Sequence, residues 1–187
     1  MSTSSNPTPV RAALARLKSE IALNREFTGR HEAAFLSLVW TWDRLERMGR
    51  LFFAEYGITD AQFNALMILW DYRDRTLRQH ELAELLVVNR ASMGGVLERM
   101  ERNGWIVRTV DPVDRRAQQV TLTGGGIAKL EEIRAPYYRL LSQIFGETRP
   151  DELHGPIMFF DKLRSRVAAV ERSTLRHTSK KAKNHGS

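Results

Sequence analysis

A short polar segment in the middle of the chain carries the side chains best suited to chemistry. It reads Asp111-Pro112-Val113-Asp114-Arg115-Arg116 and lies between two stretches of strand-like sequence. A guanidinium on a narrow loop has the shape and charge to enter the minor groove of a DNA duplex. Asp111 or Asp114 could orient one guanidinium through a bidentate pair. A solvated turn is the alternative that this loop, taken alone, leaves open.

A second group of polar and small residues lies upstream, at the start of a predicted helix. Asn89 is a good N-cap, and the helix over 90–102 ends at Asn103-Gly104. Small residues on the outer face of this helix would let its backbone approach a duplex, and polar ones could bond phosphates or base edges. The candidate contacts are Asn89, Arg90, Ala91, Ser92, Gly94, Gly95 and Arg99. Packing of the two glycines against another helix is the alternative.

Other kinds of site find little support in the sequence. The chain has no cysteine, which excludes disulfides and thiolate ligands, and its five histidines are scattered without metal-ligand spacing. It contains no glycine-rich phosphate loop and no nucleophile elbow. We therefore expect no enzyme, no metal site and no cofactor.

The net charge of +7 indicates a polyanionic partner, although the basic excess lies mainly at the two ends of the chain. Residues 173–187 contain four basic side chains and no acidic one. We expect a mobile N-terminal arm over 1–28 and a disordered basic tail over 173–187; a role in solubility alone is the alternative for both. The sequence shows no membrane span and no signal-peptide core, so we expect a cytoplasmic protein without membrane contact.

Hydrophobic spacing and turn signals predict the elements that position these residues. Thr59 and Gln62 fit a capping box, with Ile58 and Phe63 as the hydrophobic staple of a helix that starts there. Further helices are predicted over about 31–55, 79–86, 127–145 and 151–171, and a β-hairpin over 106–123. The fold class is therefore mainly α with a small β-hairpin wing.

Five stretches resemble the MarR family of winged-helix regulators. They are Ile58-Thr59-x-x-Gln62-Phe63, Glu81-Leu82-Ala83, Gly104-Trp105-Ile106-Val107-Arg108, Asp111-Pro112-x-Asp114-Arg115-Arg116 and Leu122-Thr123-x-x-Gly126. The resemblance covers about residues 31–172. It implies a homodimeric, sequence-specific regulator of transcription, a repressor, that binds a pseudo-palindromic operator in double-stranded DNA. A winged helix that binds only protein is the alternative.

The resemblance also assigns parts of the chain to roles. It implies a winged helix-turn-helix over 58–123, with helix 89–102 in the major groove and wing 111–116 in the minor groove. Residues 29–57 and 124–172 would form a helical dimerisation lobe. Gly94 and Gly95 stand where many relatives carry larger polar residues, and Gly124-Gly125-Gly126 predicts a loose start to the helix that follows.

Members of this family also bind small aromatic or phenolic acids between the two lobes. Trp40, Arg44 and Trp70 would suit such an effector, because the rings could bury it and the guanidinium could orient its carboxylate. Simple packing of the two tryptophans between the lobes is the alternative.

Overall fold

The structure is a computed structural model that describes residues 8–86 and 90–184, with side chains described for all of these except 90–92 and 175–184. Seven helices and three strands are assigned within the described residues. In chain order they are α1 Pro9–Glu20, α2 Arg30–Glu55, α3 Asp60–Asp71, β1 Leu77–Arg78, α4 Gln79–Leu85, α5 Arg90–Arg102, β2 Ile106–Val110, β3 Gln118–Leu122, α6 Gly124–Phe145 and α7 Pro150–Asn184.

Local signals explain where several of these elements begin and end. The predicted capping box starts α3: Thr59 Oγ1 accepts from the Gln62 N–H at 3.2 Å, and Gln62 Oε1 accepts from the Thr59 N–H at 2.9 Å. Gly104 follows α5 with φ of 72°, a left-handed conformation that favours glycine and ends the helix. The sequence thus predicts both helix boundaries correctly.

The three strands form one antiparallel sheet in the order β1-β3-β2. The predicted hairpin is confirmed, and its register runs from Ile106 opposite Leu122 to Val110 opposite Gln118. β1 adds a third strand, with Leu77 opposite Val120. The sequence does not predict β1, because two residues are too few to show alternation.

Contacts divide the chain into two compact units, Met1–Arg134 and Ala135–Ser187. The largest fully buried apolar side chains of the first unit form the centre of its core: Phe63, Leu66, Leu77, Leu82, Met93, Leu97, Met100, Val120, Leu130 and Ile133. In this single chain, α2 and the first half of α6 therefore group with the winged helix. This division differs from the predicted boundaries at 57/58 and 123/124, which stay predictions.

Both ends of the chain are more helical than the sequence suggests. Residues 9–20, expected within a mobile arm, form α1, and Leu17 on that helix is only 8% exposed. Residues 173–184, expected in a disordered tail, continue the backbone of α7. The physical reason is similar in both segments, since Leu, Ala, Arg and Lys are good helix formers and neither contains glycine.

The three consecutive glycines do not form a loose connection, and that expectation is wrong. They make the first turn of α6, which packs against the turn between α5 and β2. A Cβ added at Gly126 would lie 2.1 Å from the carbonyl oxygen of Trp105. Only a residue without a side chain allows this close approach of two backbones.

Candidate nucleic-acid interface

The outer face of α5 is open, and its inner face is fully packed. Met93, Val96, Leu97 and Met100 are at most 5% exposed and fix the helix on the core. A Cβ added at Gly94 or Gly95 would meet no described atom within 4 Å. Within the described chain, these glycines are therefore not a packing site between helices.

The start of α5 carries four of the predicted contacts. Asn89 lies outside the described residues, and for Arg90, Ala91 and Ser92 the structure describes only the helical backbone. Their roles stay predictions. Farther along the same helix, the Arg99 side chain is exposed and its Nε donates to the Gly95 carbonyl at 3.2 Å.

The loop between β2 and β3, residues 111–117, is the wing tip, and it is held by its own backbone. The Asp111 N–H donates to the Ala117 carbonyl at 3.0 Å, and the Ala117 N–H donates to the Asp114 carbonyl at 2.8 Å. The Arg115 and Arg116 side chains are exposed at this tip. Two guanidiniums therefore project from a narrow, closed loop.

Asp111 anchors the wing tip to the sheet. Its carboxylate is nearly inaccessible and accepts from the N–H groups of Val113 at 2.8 Å and Asp114 at 2.9 Å. The other oxygen accepts from Arg78 Nε at 2.7 Å and from the Gln119 amide at 3.1 Å. Hydrogen bonds from the Asp114 N–H, Arg78 and the Val113 N–H hold the pKa of Asp111 well below its usual range.

The predicted pairing of a wing carboxylate with a wing guanidinium is wrong. Asp111 pairs with Arg78 of β1, and Asp114 accepts instead from the main-chain N–H of Arg116 at 3.0 Å. Both carboxylates thus support the wing by fixing its backbone. This arrangement leaves the two arginine head groups available to a partner.

Sequence reasoning missed two arginines that brace the wing. Arg78 reaches Asp111 across 33 residues of chain, from a strand too short to predict. Arg108 of β2 donates through Nε and NH2 to Glu101 at 2.9 and 2.6 Å, which ties the wing to α5. The alternation of side chains along β2 could have predicted on which face of the sheet Arg108 lies. Its pairing with Glu101 of α5 could not be predicted, because no local sequence pattern indicates it.

A cleft of about 450 Å³ lies between α4, α5 and the wing tip. Its lining is polar at the rim and apolar at the floor: Gln79, His80, Ala83, Met93, Arg116, Ala117 and Gln118. The cleft therefore lies between the predicted recognition helix and the wing, and the part of α5 that lines it is Met93, on the buried face of that helix.

The structure brings together only part of the predicted effector site. The Arg44 guanidinium lies over the Trp40 ring, 5.2 Å from its centre, and Trp40 Nε1 donates to Glu20 of α1 at 2.8 Å. Trp70 instead stacks with Arg73 at 4.6 Å, beside a small cavity that Val120 also lines. Trp40 thus faces α1, and the expectation that it looks toward Trp70 finds no support in these contacts.

Two long helices carry exposed apolar faces. On α2 these residues are Phe35, Leu38, Val39, Trp42, Leu45 and Leu51, and on α7 they are Ile157, Met158, Phe159, Phe160, Val167 and Val170. Such faces on a single chain mark surfaces that a partner covers. Within the part of the chain that the structure describes, none of the helices contains an apolar stretch of membrane-spanning length.

Comparisons with known proteins agree with this geometry. The sequence model of the MarR family matches residues 58–117. The HTH-type transcriptional repressor YetL of Bacillus subtilis is 30% identical over 118 residues, which cover 63% of this chain and 70% of that protein. The fold is similar to that of Sco3205, a MarR family regulator from Streptomyces coelicolor whose structure was solved in complex with DNA. The TM-score is 0.70 and the sequence identity is 22%; the match covers 76% of this chain and 94% of Sco3205. It is also similar to Bordetella bronchiseptica BpsR, whose DNA binding is regulated by 6-hydroxynicotinic acid, with a TM-score of 0.65, 24% identity, and coverage of 74% and 98%.

Proposed function

The chain belongs to the MarR family of DNA-binding transcriptional regulators, and we propose that it represses transcription by binding a near-palindromic operator as a homodimer. In this arrangement α5 lies in the major groove, and the wing tip reaches the adjacent minor groove. Because the relatives are named as regulators of transcription, we propose a DNA-binding role without catalysis.

The observation that carries this proposal is the open glycine surface of α5. A recognition helix must bring its backbone close to the base edges, and Gly94 and Gly95 place no side chain in the way. Two adjacent glycines cost about 1–2 kcal/mol of helix propensity. A packed inner face alone gives no reason for this cost, whereas close approach of the helix backbone to a groove floor does.

The wing supplies the second part of the argument. Arg115 and Arg116 stand exposed on a loop whose backbone Asp111 and Asp114 fix. An arginine held in this way can enter the minor groove, where the negative potential of a narrow groove favours it. The wing is preorganised, so little conformational entropy is lost when it binds.

The exposed apolar faces of α2 and α7 support the homodimer. In an isolated chain, side chains such as Phe35 and Phe159 are more than half exposed, and a second copy would bury them. A two-fold dimer would also explain a near-palindromic operator, because its two recognition helices must lie about 34–36 Å apart to enter successive turns of the major groove.

Two substitutions test the DNA-binding surface, with a duplex selected by the purified protein from a random-sequence pool. Gly95→Leu should block the approach of α5, and Arg115→Ala with Arg116→Ala should weaken operator binding at least tenfold, or about 1.4 kcal/mol. The matched control removes two arginines from α2, Arg47 and Arg50, which form exposed ion pairs with residues four positions earlier.

The outcomes separate DNA binding from a protein-only role. Loss of binding in both site variants but not in the α2 control, with native circular dichroism and unchanged dimer mass, supports the proposal. If Gly95→Leu binds the selected duplex as tightly as the parent, α5 is not the recognition helix. If no duplex is enriched at all, the winged helix serves another partner.

The DNA binding of BpsR is regulated by 6-hydroxynicotinic acid. By analogy, we propose a small aromatic acid as the effector of this chain. We propose Trp40 and Arg44 as the residues that would hold an aromatic carboxylate in this chain, because the guanidinium lies over the indole ring. Glu20 already supplies a carboxylate to both of them, at 2.8 Å from Trp40 Nε1 and 3.7 Å from Arg44 NH2. A ligand there would therefore compete with α1.

A further inference from the structure

We propose, on the premise that α5 and the wing bind DNA as described above, that the cleft between α4, α5 and the wing tip seats the sugar–phosphate strand that separates the two grooves. His80, Gln79 and Gln118 are the phosphate-binding residues of this seat, and Arg116 reaches beyond it. The sequence analysis did not identify His80, Gln79 or Gln118 as DNA-binding residues.

The topology of DNA makes a seat of this kind necessary. One sugar–phosphate strand separates each major groove from the adjacent minor groove. A protein that places a helix in one groove and a loop in the other must let that strand cross the surface between them. Here that surface is the cleft, because Met93 of α5 lies at its floor and Arg116 and Ala117 of the wing tip line it as well.

The lining of the cleft suits a phosphodiester. Its floor includes Ala83 and Met93, which are at most 7% exposed. His80 and Gln118 are exposed at the rim, where an imidazole N–H and an amide N–H could donate to phosphate oxygens. Among the described residues, none that lines the cleft is acidic.

The carboxylate that follows His80 in the sequence of α4 accepts hydrogen bonds at the start of the helix. Glu81 follows His80, but its Oε2 accepts from the Arg78 N–H at 2.7 Å and its Oε1 accepts from Arg75 at 3.4 Å. These bonds, led by that from the Arg78 N–H, lower the pKa of Glu81 and keep its charge at the helix start. The carboxylate therefore has partners of its own beside the seat.

The two walls of the cleft are tied together at their base. Arg78 immediately precedes the wall formed by Gln79 and His80, and it pairs with Asp111 at the root of the opposite wall. The strands also join there, with Arg78 opposite Gln119. The width of the cleft is thus set before DNA binds, which favours a ligand of fixed width such as a phosphate strand.

The test combines a protein variant with a modified DNA. The duplex selected by the protein is synthesised with one phosphate at a time replaced by an uncharged methylphosphonate, and affinity is measured by fluorescence anisotropy at fixed salt. We expect His80→Ala to weaken binding fivefold or more, and to do so equally for operator and random DNA, because phosphate contacts carry no sequence information. His31→Ala, an exposed histidine of α2, is the matched control.

The modified duplexes locate the seat. One phosphate in each half-site, between the bases read by α5 and the minor groove, should show a methylphosphonate penalty that falls at least threefold in His80→Ala. His80→Gln, which retains an N–H donor, should recover part of the affinity. If the effect of His80→Ala depends on one methylphosphonate position in the duplex, the group that His80 binds is that DNA phosphate. Free phosphate bound in the cleft would not make the two changes depend on each other.

The failure of this inference is distinct from the failure of DNA binding itself. If Gly95→Leu releases the duplex while His80→Ala and Gln118→Ala bind as the parent does and no phosphate couples to them, the strand does not occupy the cleft. If His80→Ala changes operator and random DNA by different factors, His80 reads sequence and is not a phosphate ligand. Circular dichroism confirms that each variant is folded.

Discussion

A methyl group added at Gly126 should destabilise the protein, whereas the same group added two residues earlier should not. At Gly126 a Cβ would lie 2.1 Å from the Trp105 carbonyl oxygen and 2.7 Å from Leu122 Cδ1. At Gly124 it would meet no described atom within 4 Å. The two positions lie in the same helical turn, so they differ mainly in the space around them.

The magnitude follows from two opposing terms. Replacing glycine by alanine in a helix gains about 0.4–1 kcal/mol at either position. At Gly126 the contact would be about 1 Å shorter than the 3.0 Å limit for real Cβ atoms, and its partner is backbone that cannot rotate away. Overpacking of this kind costs about 3 kcal/mol, the upper end of the usual range. We therefore expect Gly126→Ala to lower the free energy of unfolding by about 2 kcal/mol, or the Tm by about 4–8 °C.

Thermal and urea unfolding, followed by circular dichroism at 222 nm, measure this difference. Protein concentration must be the same for all variants, because the stability of a dimer depends on it. Gly124→Ala should match or exceed the parent. A Gly126→Ala variant as stable as Gly124→Ala would refute the argument, since α6 would then have room to shift away from the α5–β2 turn.

Three further predictions concern DNA binding and its control. Asp111→Asn should weaken operator binding at least fivefold, and anisotropy titrations that find no weakening at pH 7 would contradict this. Because the pKa of Asp111 is depressed in the folded state, its contribution to the free energy of unfolding is fully present above about pH 4 and is lost progressively as the pH falls from there toward the lowered pKa. Removal of residues 174–187 should lower the slope of log affinity against log salt by about 0.9 for each DNA phosphate that this segment neutralises; an unchanged slope means that the segment does not touch DNA. Glu20→Gln should let aromatic carboxylates quench tryptophan fluorescence at lower concentration and release operator DNA in parallel; quenching without release would mean that the site at Trp40 and Arg44 is not regulatory.

The sequence alone determined the elements whose signals are local. The capping box of Thr59 and Gln62, the left-handed Gly104 after α5 and the alternation of the hairpin each involve residues within one helical turn or one strand. The buried face of α5 likewise follows from the spacing of its apolar residues. Interactions at such short separation form wherever the chain adopts the element, so a pattern in the sequence is enough to predict them.

Tertiary structure decided how these elements are braced and where functional side chains point. The pairing of Arg78 with Asp111 joins residues 33 apart, and the bond from Trp40 to Glu20 joins residues 20 apart, so each depends on the path of the intervening chain. The need for glycine at 126 arises from the backbone of a different segment, at Trp105. These contacts have no periodicity or local motif, because their geometry exists only after helices and sheet have packed. The wing arginines could therefore be predicted from the sequence, but the groups that hold the wing in place could not.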